Sequence, residues 1–591
     1  MIWVILGSFL AYTLFVMWFS WYKTRGHKMD SADGYFLGGR SLTGIVIASS
    51  LLLTNLSTEQ IVGLNGQAFG ESMVVMAWEV ISPLALIFMA IIFLPRYLAT
   101  GISTIPDFLE QRFDLRTRQI VSLLFLLGYA TVFLPTVLYS GALVIDGIFG
   151  LSTRIGLSTF QIVFFISAAI GLISCGYVIL GGLRATAYSD TINGIGLIIG
   201  GLMIPILALF VLGKGDFIDG VGELLKANPS KLNAVGNYES SVPWTMLMTG
   251  LFFNNLFYWC TNQSIIQRSL AAKNLAEGQK GVLFAGFFKV FGLTFLALPG
   301  IIAYLLYGDS ISNADQAYPT LITDVMPVIL SGFLAAVLFG AILSSFNNVI
   351  TSSITLFTLD IFKPIFKPNA KERELVKTGR IFAVCLATFS VIIAPFIIFA
   401  PNGLYYFLQE MNGFYSLPIL AMVVVGFFTK WVSAIAAKTM VITHFILYGL
   451  TKFIIPDVNF LYVFAILFPI DVLTMLVIGR WKPRERPYVM ITKDVVDLRP
   501  WKHVKKVSVF SFVLVVVIYG IFSPIGLAEA PKGYYSPWSI VFLAATLLFI
   551  AGVVWYWRRT NKFLETQAKL ERKTLETTSA KSEKVYTGES S

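Results

Sequence analysis

Apolar runs of about 20 residues follow one another along most of the chain, separated by shorter polar segments in which Lys and Arg are frequent. A helix of that length crosses the roughly 30 Å hydrocarbon layer of a bilayer, where only helices and closed barrels satisfy their own backbone. The runs are too long for barrel strands, so each predicts a membrane-spanning α-helix, and the ninth can exceed one span. Fifteen runs are present, near residues 3–21, 43–63, 73–94, 119–147, 160–180, 189–213, 244–261, 282–306, 319–358, 379–399, 404–427, 431–451, 459–479, 507–525 and 537–557.

The composition agrees with an all-α polytopic membrane protein. Of 591 residues, 56% are hydrophobic and only 13% are charged, which is too apolar for a soluble protein. The first run lacks the basic start and the small-residue cleavage site of a signal peptide. We therefore expect the first run to remain in the protein as a helix.

The distribution of charge predicts the orientation in the membrane, because Lys and Arg accumulate in cytoplasmic loops. With the N-terminus outside, most of the 44 Lys and Arg residues fall on the cytoplasmic side, and so does the C-terminal tail. These loops also explain the net charge of +11. The basic stretch Arg480–Lys506 matches no recognisable module for nucleic acid, so we expect no nucleic-acid partner.

Side chains that carry catalysis or bind cofactors are sparse. The three Cys and three His are scattered, and the glycine motifs that bind dinucleotides or phosphates are missing from the sequence. Since no nucleophile can be paired with a base, we expect neither an enzyme nor a bound cofactor. The residues concerned are Cys175, Cys260, Cys385, His27, His444 and His503.

Two of the apolar runs are interrupted by clusters of amides and hydroxyls. TNLSTEQIVG at Thr54–Gly63 lies in the second run, and NNLFYWCTNQ at Asn254–Gln263 lies five runs later. Many transporters contain two inverted repeats that each use a broken helix to bind solute and ion near the bilayer midplane. The alternative is that the polar groups only hold helices together through hydrogen bonds. The transporter interpretation predicts an extra helix in 1–22, repeats in 43–213 and 244–427, further helices in 428–557 and a cytoplasmic tail in 558–591.

The clearest ionisable side chains inside predicted spans are Glu59, Glu79, Asp190 and Lys289. Each costs at least about 2.5 kcal/mol there and indicates function by default. Ser82 follows Glu79 by three residues, so both lie on one face of a helix and can contact one ligand. Lys289 can pair with a carboxylate or donate to hydroxyl groups. Structural alternatives stay open: a Glu79–Lys289 pair, Glu59 bound to backbone N–H groups freed at the interruption, and Asp190 as a cap near the end of its span.

A third polar feature, GAILSSFN at Gly340–Asn347, lies in the long ninth run. Its two adjacent hydroxyls, together with the carbonyls of an unwound helix, are oxygen ligands of the kind that bind a sodium ion. Serine pairs are also common where helices pack. The spacing alone therefore leaves both interpretations open.

Six stretches together cover roughly residues 20–430 and carry a family resemblance: YFLGGRSL at Tyr35–Leu42, TNLSTEQIVG, TIPDFLEQRF at Thr104–Phe113, GGLRATAYSDTING at Gly181–Gly194, YWCTNQSIIQRSLAAKNLAEGQKG at Tyr258–Gly281, and GAILSSFN. In these stretches the chain resembles the solute:sodium symporters, specifically the sodium/glucose and sodium/galactose cotransporter branch and its bacterial members of the YidK type. The resemblance implies a LeuT-type fold of five plus five inverted helices in a bacterial inner membrane. It also implies cotransport of a sugar with sodium by alternating access, with the solute, sodium and lipid as the partners.

The resemblance also implies a role for individual residues. The solute-binding positions of the sugar branch match Asn55, Gln60, Glu79, Ser82, Asn255, Lys289 and Gln409, and the aromatic residue that stacks on the sugar matches Tyr258. The sodium positions match the carbonyls of Leu53, Leu56 and Ala341 and the hydroxyls of Ser344 and Ser345, with Asp190 on the exit path of the ion.

Three positions qualify the resemblance. Leu53 stands where a small residue is usual, and Trp78 stands beside Glu79 where a tyrosine is familiar. Family members that carry two sodium ions tend to have an extra hydroxyl near the position of Ala341, so its methyl group predicts one sodium per sugar. Two alternatives stay open: a sodium symporter of another small polar solute, such as an inositol, a nucleoside, a sugar acid or an amino acid, and a sugar sensor that does not transport.

Overall fold

The computed structural model describes residues 2–24, 40–311, 313–399, 404–493 and 495–528. Within these ranges the regular structure is helical, and the residues paired as isolated β-bridges form no strand. The all-α class is therefore confirmed. The predicted fifteenth run, 537–557, and the tail 558–591 lie outside the described residues.

The α-helices are numbered in chain order. They are α1 Ile2–Thr24, α2 Gly44–Asn55, α3 Thr58–Gly70, α4 Ala77–Val80, α5 Ser82–Phe88, α6 Leu94–Thr100, α7 Ile105–Arg112, α8 Leu115–Gly128, α9 Leu134–Phe149, α10 Leu151–Ile155, α11 Thr159–Leu212, α12 Phe217–Ala227, α13 Gly250–Cys260, α14 Gln263–Leu270, α15 Leu275–Val290, α16 Leu293–Leu296, α17 Leu298–Tyr307, α18 Ala317–Val325, α19 Val328–Thr355, α20 Glu372–Ile393, α21 Leu404–Phe428, α22 Ala434–Ile454, α23 Phe460–Trp481 and α24 Val504–Ile521. π-Helical turns at Met89–Phe93, Tyr129–Phe133 and Leu356–Phe366 continue α5, α8 and α19.

Among the described residues, 12 helical stretches are long and apolar enough to cross a membrane, and the bent pair α2 and α3 makes a thirteenth. The predicted run 244–261 contains one short α-helix, α13, and α14 begins after the run ends. The predicted count of fifteen spans is therefore not confirmed, although most runs coincide with one helical stretch.

Three predicted runs have different boundaries in the structure. Runs 160–180 and 189–213 belong to one helix, α11, whose parts Thr159–Gly176 and Ile192–Leu212 each qualify as a span. The ninth run, 319–358, is divided between α18 and α19 at Met326 and Pro327. Pro327 lacks the backbone N–H that a helix interior requires, and α19 begins directly after it.

The first predicted interruption is a break between α2 and α3, which meet at an angle of 57°. Asn55 ends α2, and Leu56 has φ −75° and ψ 66°, outside the helical region. The Ser57 N–H donates to the Asn55 carbonyl at 2.8 Å, and the Ser57 hydroxyl donates to the Glu59 carboxylate. These local bonds replace helical ones, because Asn and Ser side chains and short turns compete with the helix for the backbone.

The second predicted interruption separates α13 from α14. Asn262 caps α14 by accepting a hydrogen bond from the Ser264 N–H at 3.1 Å, and it also accepts one from the Tyr129 hydroxyl at 2.5 Å. The amides that interrupt the two apolar runs therefore lie at two helix breaks.

The packing of the helices brings the two breaks toward a common interior. Helix α2 packs against α11, α15 and α19, and α13 packs against α5 and α21. A Cβ on Gly281 would lie 2.6 Å from Ile47, so only a glycine permits the close approach of α15 to α2. The C-terminal helices α22 and α23 pack against each other and against α21.

Arg112 is the last residue of α7, in the stretch TIPDFLEQRF. Its buried side chain connects α7 to the end of α21. Its guanidinium donates to the carbonyls of Gly426, Thr429 and Val432, each at 3.0 Å. Burial lowers the pKa of this guanidinium to about 10. Since three carbonyls need a planar fork of donors, a lysine cannot replace it.

We therefore expect Arg112→Lys to lower the free energy of unfolding by about 2 kcal/mol or more, as charged hydrogen bonds to the carbonyls are lost. Unfolding of the purified protein at increasing concentrations of a denaturing detergent measures this loss. Arg116→Lys is the matched control, because Arg116 is exposed four residues further on. Equal stability of the two variants would contradict the bracing role of Arg112.

Candidate functional site

Four of the predicted solute residues form one buried polar cluster around an ion pair. The ammonium group of Lys289, near the end of α15, pairs with the Glu79 carboxylate and donates to Asn55 Oδ1. The Gln60 amide donates to the other Glu79 oxygen at 2.6 Å. Glu79 and Lys289 are each 1% exposed, so the pair lies out of bulk water. The cluster joins both sides of the α2–α3 break to the Glu79 segment.

The other four predicted solute residues lie around this cluster. Ser82 donates to Asn255 Oδ1 of α13 at 2.8 Å, one turn beyond Glu79. The neighbouring Asn254 donates to Gln409 Oε1 of α21 at 3.1 Å. Tyr258, one turn further along α13, hydrogen-bonds with Asn55. The structure therefore brings all eight predicted residues together from α2, α3, α4, α5, α13, α15 and α21.

Trp78 lies beside this cluster and differs from the familiar tyrosine. Its ring meets Tyr405 edge to face at 5.3 Å and stacks on Phe460 at 6.2 Å between centroids. In the described part of the chain its indole Nε1 has no protein partner, and neither has Gln60 Oε1. Buried polar atoms normally have a partner, so a donor and an acceptor remain for a bound solute here.

Two of the predicted sodium residues, Leu53 and Ser345, meet at the end of α2. The Ser345 hydroxyl of α19 lies 3.4 Å from the Leu53 carbonyl oxygen, and both residues are fully buried. Leu56 lies in the break itself, three residues after Leu53. Ala341 and Ser344 lie within the preceding turn of α19 and are buried as well. One carbonyl oxygen and one hydroxyl oxygen thus lie next to each other close to the interruption.

A polar chain that the sequence analysis did not single out links the two breaks. Arg268 of α14 is fully buried; it donates to the Ser264 carbonyl at 2.8 Å and to Asn348 Oδ1. Asn348 in turn donates to Thr54 Oγ1 at 2.5 Å. Arg268 lies outside the predicted run 244–261, so no signal in the sequence indicated its burial, where an arginine needs acceptors.

A cavity lies beside Ser344, between α1, α11 and α19, and Ser189, Asn193 and Asn347 contribute to its wall. The side-chain oxygens of Asn193 and Asn347 have no hydrogen-bond partner within the described residues. Asp190, predicted on the exit path of the ion, belongs to α11, and its side chain lies outside the described part.

Glu59 has a different environment from Glu79. Its carboxylate accepts a hydrogen bond from the Ser57 hydroxyl at the break, and Glu59 Oε2 has no hydrogen-bond partner among the described residues. The structural alternative, in which the Glu59 carboxylate satisfies backbone N–H groups freed at the break, stays a prediction.

Comparison with known proteins identifies the chain. Broken helices that carry buried oxygen and amide clusters inside a bundle of apolar spans are the arrangement of a secondary transporter. The family described as "Sodium:solute symporter family" matches residues 35–442. The chain belongs to the sodium:solute symporter family and is an integral membrane protein.

Individual relatives agree with the family. The chain is 46% identical to an uncharacterized symporter, YidK of Escherichia coli, over 93% of this chain and 94% of the relative. It is 33% identical to a sodium/glucose cotransporter of Vibrio parahaemolyticus, over 71% of this chain and 80% of the relative. A solved Na⁺-coupled sialic acid symporter has a similar fold, with TM-score 0.68 and 20% identity over 83% of this chain and 98% of that one. The predicted LeuT-type fold class is confirmed.

Proposed function

We propose that the protein imports a monosaccharide together with sodium by alternating access. The observation that carries the proposal is the buried cluster of Asn55, Gln60, Glu79 and Lys289 at a helix break. A sugar hydroxyl both donates and accepts, and amides, a carboxylate and an ammonium group supply both roles. Tyr258 adds an aromatic face for the apolar side of the ring.

The sodium part of the proposal rests on the region around Leu53 and Ser345. Unwound backbone carbonyls coordinate sodium in transporters of this architecture, and a serine hydroxyl supplies a further oxygen. Because Leu53, Asn55 and Gln60 lie on one interrupted segment, an ion at the carbonyls would favour one geometry of the solute-binding amides. This proximity gives a direct physical route for coupling the two ligands.

The energetics of one ion are sufficient for import. One sodium ion that enters across 100 mV gains about 2.3 kcal/mol. A tenfold concentration gradient adds about 1.4 kcal/mol. The sum of about 3.7 kcal/mol permits accumulation of a neutral solute by about 500-fold.

A screen of labelled solutes in proteoliposomes tests the substrate class. We expect sodium-dependent uptake of D-galactose or D-glucose to exceed that of myo-inositol, a nucleoside, a sugar acid and an amino acid. Preference for one of the last four solutes would contradict a sugar as the substrate but would leave the proposed sodium site unaffected. Sugar-evoked current without uptake of label would instead indicate a sensor.

We expect a stoichiometry of one sodium per sugar. Ala341 is fully buried in α19 and has a methyl group where a second ion would need an oxygen ligand. The reversal potential of the coupled flux measures the ratio. A value that requires two ions would contradict the expectation, and the oxygens of Ser344, Asn193 and Asn347 around the neighbouring cavity would then be the first ligands to test.

The basic loops favour a bacterial inner membrane protein with its N-terminus outside and its C-terminus in the cytoplasm. Cysteine labelling with a membrane-impermeant reagent at the two ends of the chain tests this orientation.

A further inference from the structure

A second buried ionisable pair lies among the C-terminal helices. His444 of α22 and Asp471 of α23 are both fully buried. His444 Nδ1 lies 2.8 Å from Asp471 Oδ2, and His444 Nε2 lies 3.1 Å from the carbonyl oxygen of Gly413 in α21. Both residues belong to membrane spans, where an ionisable group indicates function by default.

The partners of the imidazole ring define how many protons the pair holds. A backbone carbonyl only accepts, so Nε2 must carry a hydrogen to bond with Gly413. Nδ1 then faces a carboxylate oxygen, and a hydrogen must lie between these two atoms as well. The pair is either an imidazolium with a carboxylate or a neutral imidazole with a carboxylic acid. Both forms hold one proton more than a neutral histidine beside an ionised aspartate, and both have no net charge.

The pair is attached to the part of α21 that carries Gln409. Tyr448, one turn after His444, stacks on the His444 ring with centroids 5.8 Å apart and donates to the Glu410 carbonyl at 2.6 Å. A Cβ on Gly413 would overlap Tyr448, so the glycine permits this contact. Helix α22 thus holds two carbonyls of α21, at Glu410 and Gly413, directly after Gln409.

The neighbouring charged groups are paired with each other, so they do not compensate the charge of Asp471. The Glu410 carboxylate, the other charged group of α21 next to this contact, is paired with Lys452 of α22 at 2.5 Å. The Lys452 ammonium group also lies 4.9 Å from the centre of the Tyr448 ring. Glu410 and Lys452 therefore neutralise each other. An ionised Asp471 beside a neutral His444 would leave one uncompensated negative charge in the membrane, which is unfavourable.

We infer that His444 and Asp471 share one bound proton and act as positioning residues for the solute site. With the proton in place, the ring holds Asp471 on one side and the Gly413 carbonyl on the other, which sets the position of Gln409 against Asn254. The inference rests on the proposed function, because Gln409 is one of the proposed solute contacts.

Nitrogen NMR on histidine-labelled protein in lipid tests the proton without any solute. The chain has three histidines, and the His444 signals are assigned by their loss in His444→Gln. At about pH 8, where a free imidazole is neutral, we expect Nε2 to carry a hydrogen and either Nδ1 or the Asp471 carboxyl to carry the second. A hydrogen on Nδ1 alone, or an ionised Asp471 beside an unprotonated Nδ1, would overturn the inference.

Uptake of labelled D-galactose at saturating sodium tests the positioning role. Asp471→Asn can donate its amide hydrogen to Nδ1, so the ring still reaches Gly413 and we expect KM within about twofold of wild type. Asp471→Leu removes that partner, and we expect KM to rise about tenfold with little change in kcat, as a hydrogen-bonded site loses its alignment.

The NMR and uptake experiments together distinguish failure of the inference from failure of the proposed function. Equal KM for Asp471→Leu and wild type would overturn the positioning role. Loss of uptake by lower kcat at unchanged KM would also overturn it. Absence of galactose uptake by the wild-type protein would reject the proposed function, and the NMR result would still decide whether the pair holds its proton.

Discussion

Replacing Glu79 with Gln is expected to reduce sodium-dependent sugar uptake by about 100-fold or more, the cost of truncating one partner of a buried, hydrogen-bonded charge pair. The change removes the acceptor that Lys289 and Gln60 share and leaves the Lys289 ammonium group without its counter-charge. Initial rates of labelled D-galactose uptake in proteoliposomes measure the effect.

A control variant separates lost chemistry from lost folding. Glu79→Gln combined with Lys289→Gln removes both charges, so no uncompensated ion remains in the membrane. We expect the double variant to recover thermal stability relative to Glu79→Gln without recovering uptake. Recovery of both would reassign Glu79 and Lys289 to a structural pair, which is the alternative that the sequence left open.

Ser345→Ala is expected to raise the sodium concentration for half-maximal uptake by about tenfold or more, because a hydroxyl bound to a charged group contributes about 1.5–3 kcal/mol. The Ser345 hydroxyl lies at the Leu53 carbonyl, whereas Gln60 and Lys289 contact the Glu79 carboxylate. Galactose binding at saturating sodium should therefore change little. Uptake and equilibrium binding over a sodium series measure the two quantities.

Ser353 provides the matched control for this experiment. It is fully buried in the same helix, and its hydroxyl has no hydrogen-bond partner among the described residues. Ser353→Ala should leave the sodium dependence unchanged. If Ser345→Ala and Ser353→Ala behave alike, Ser345 is not an ion ligand.

The helical class and both helix breaks could be predicted from the sequence because they depend on local features. Long apolar runs identify the spans by length alone, and the amide clusters around Asn55 and Asn262 compete with helical hydrogen bonding where they occur. A contact between Glu79 and Lys289 was one of the alternatives that the sequence left open, because a charged side chain inside the membrane needs a partner of opposite charge. The residue roles themselves came from the resemblance and stay predictions.

Features that depend on three-dimensional packing could not be predicted. Nothing local to Arg268 or Asn348 indicates that the two side chains meet, since 80 positions separate them. His444 was one of three scattered histidines, and only the packing of α21, α22 and α23 brings it to Asp471 and Gly413. The continuity of α11 across Gly181–Ser189 was likewise missed, because polar residues there resemble a loop.

The measurement that tests the central claim most directly is uptake of labelled D-galactose and D-glucose into proteoliposomes under an inward sodium gradient. We expect transient accumulation above the external concentration, which disappears when potassium replaces sodium or when an ionophore dissipates the gradient. Uptake of either sugar at the same rate without sodium, or accumulation that ignores the sodium gradient, would contradict sodium-coupled sugar import by this protein.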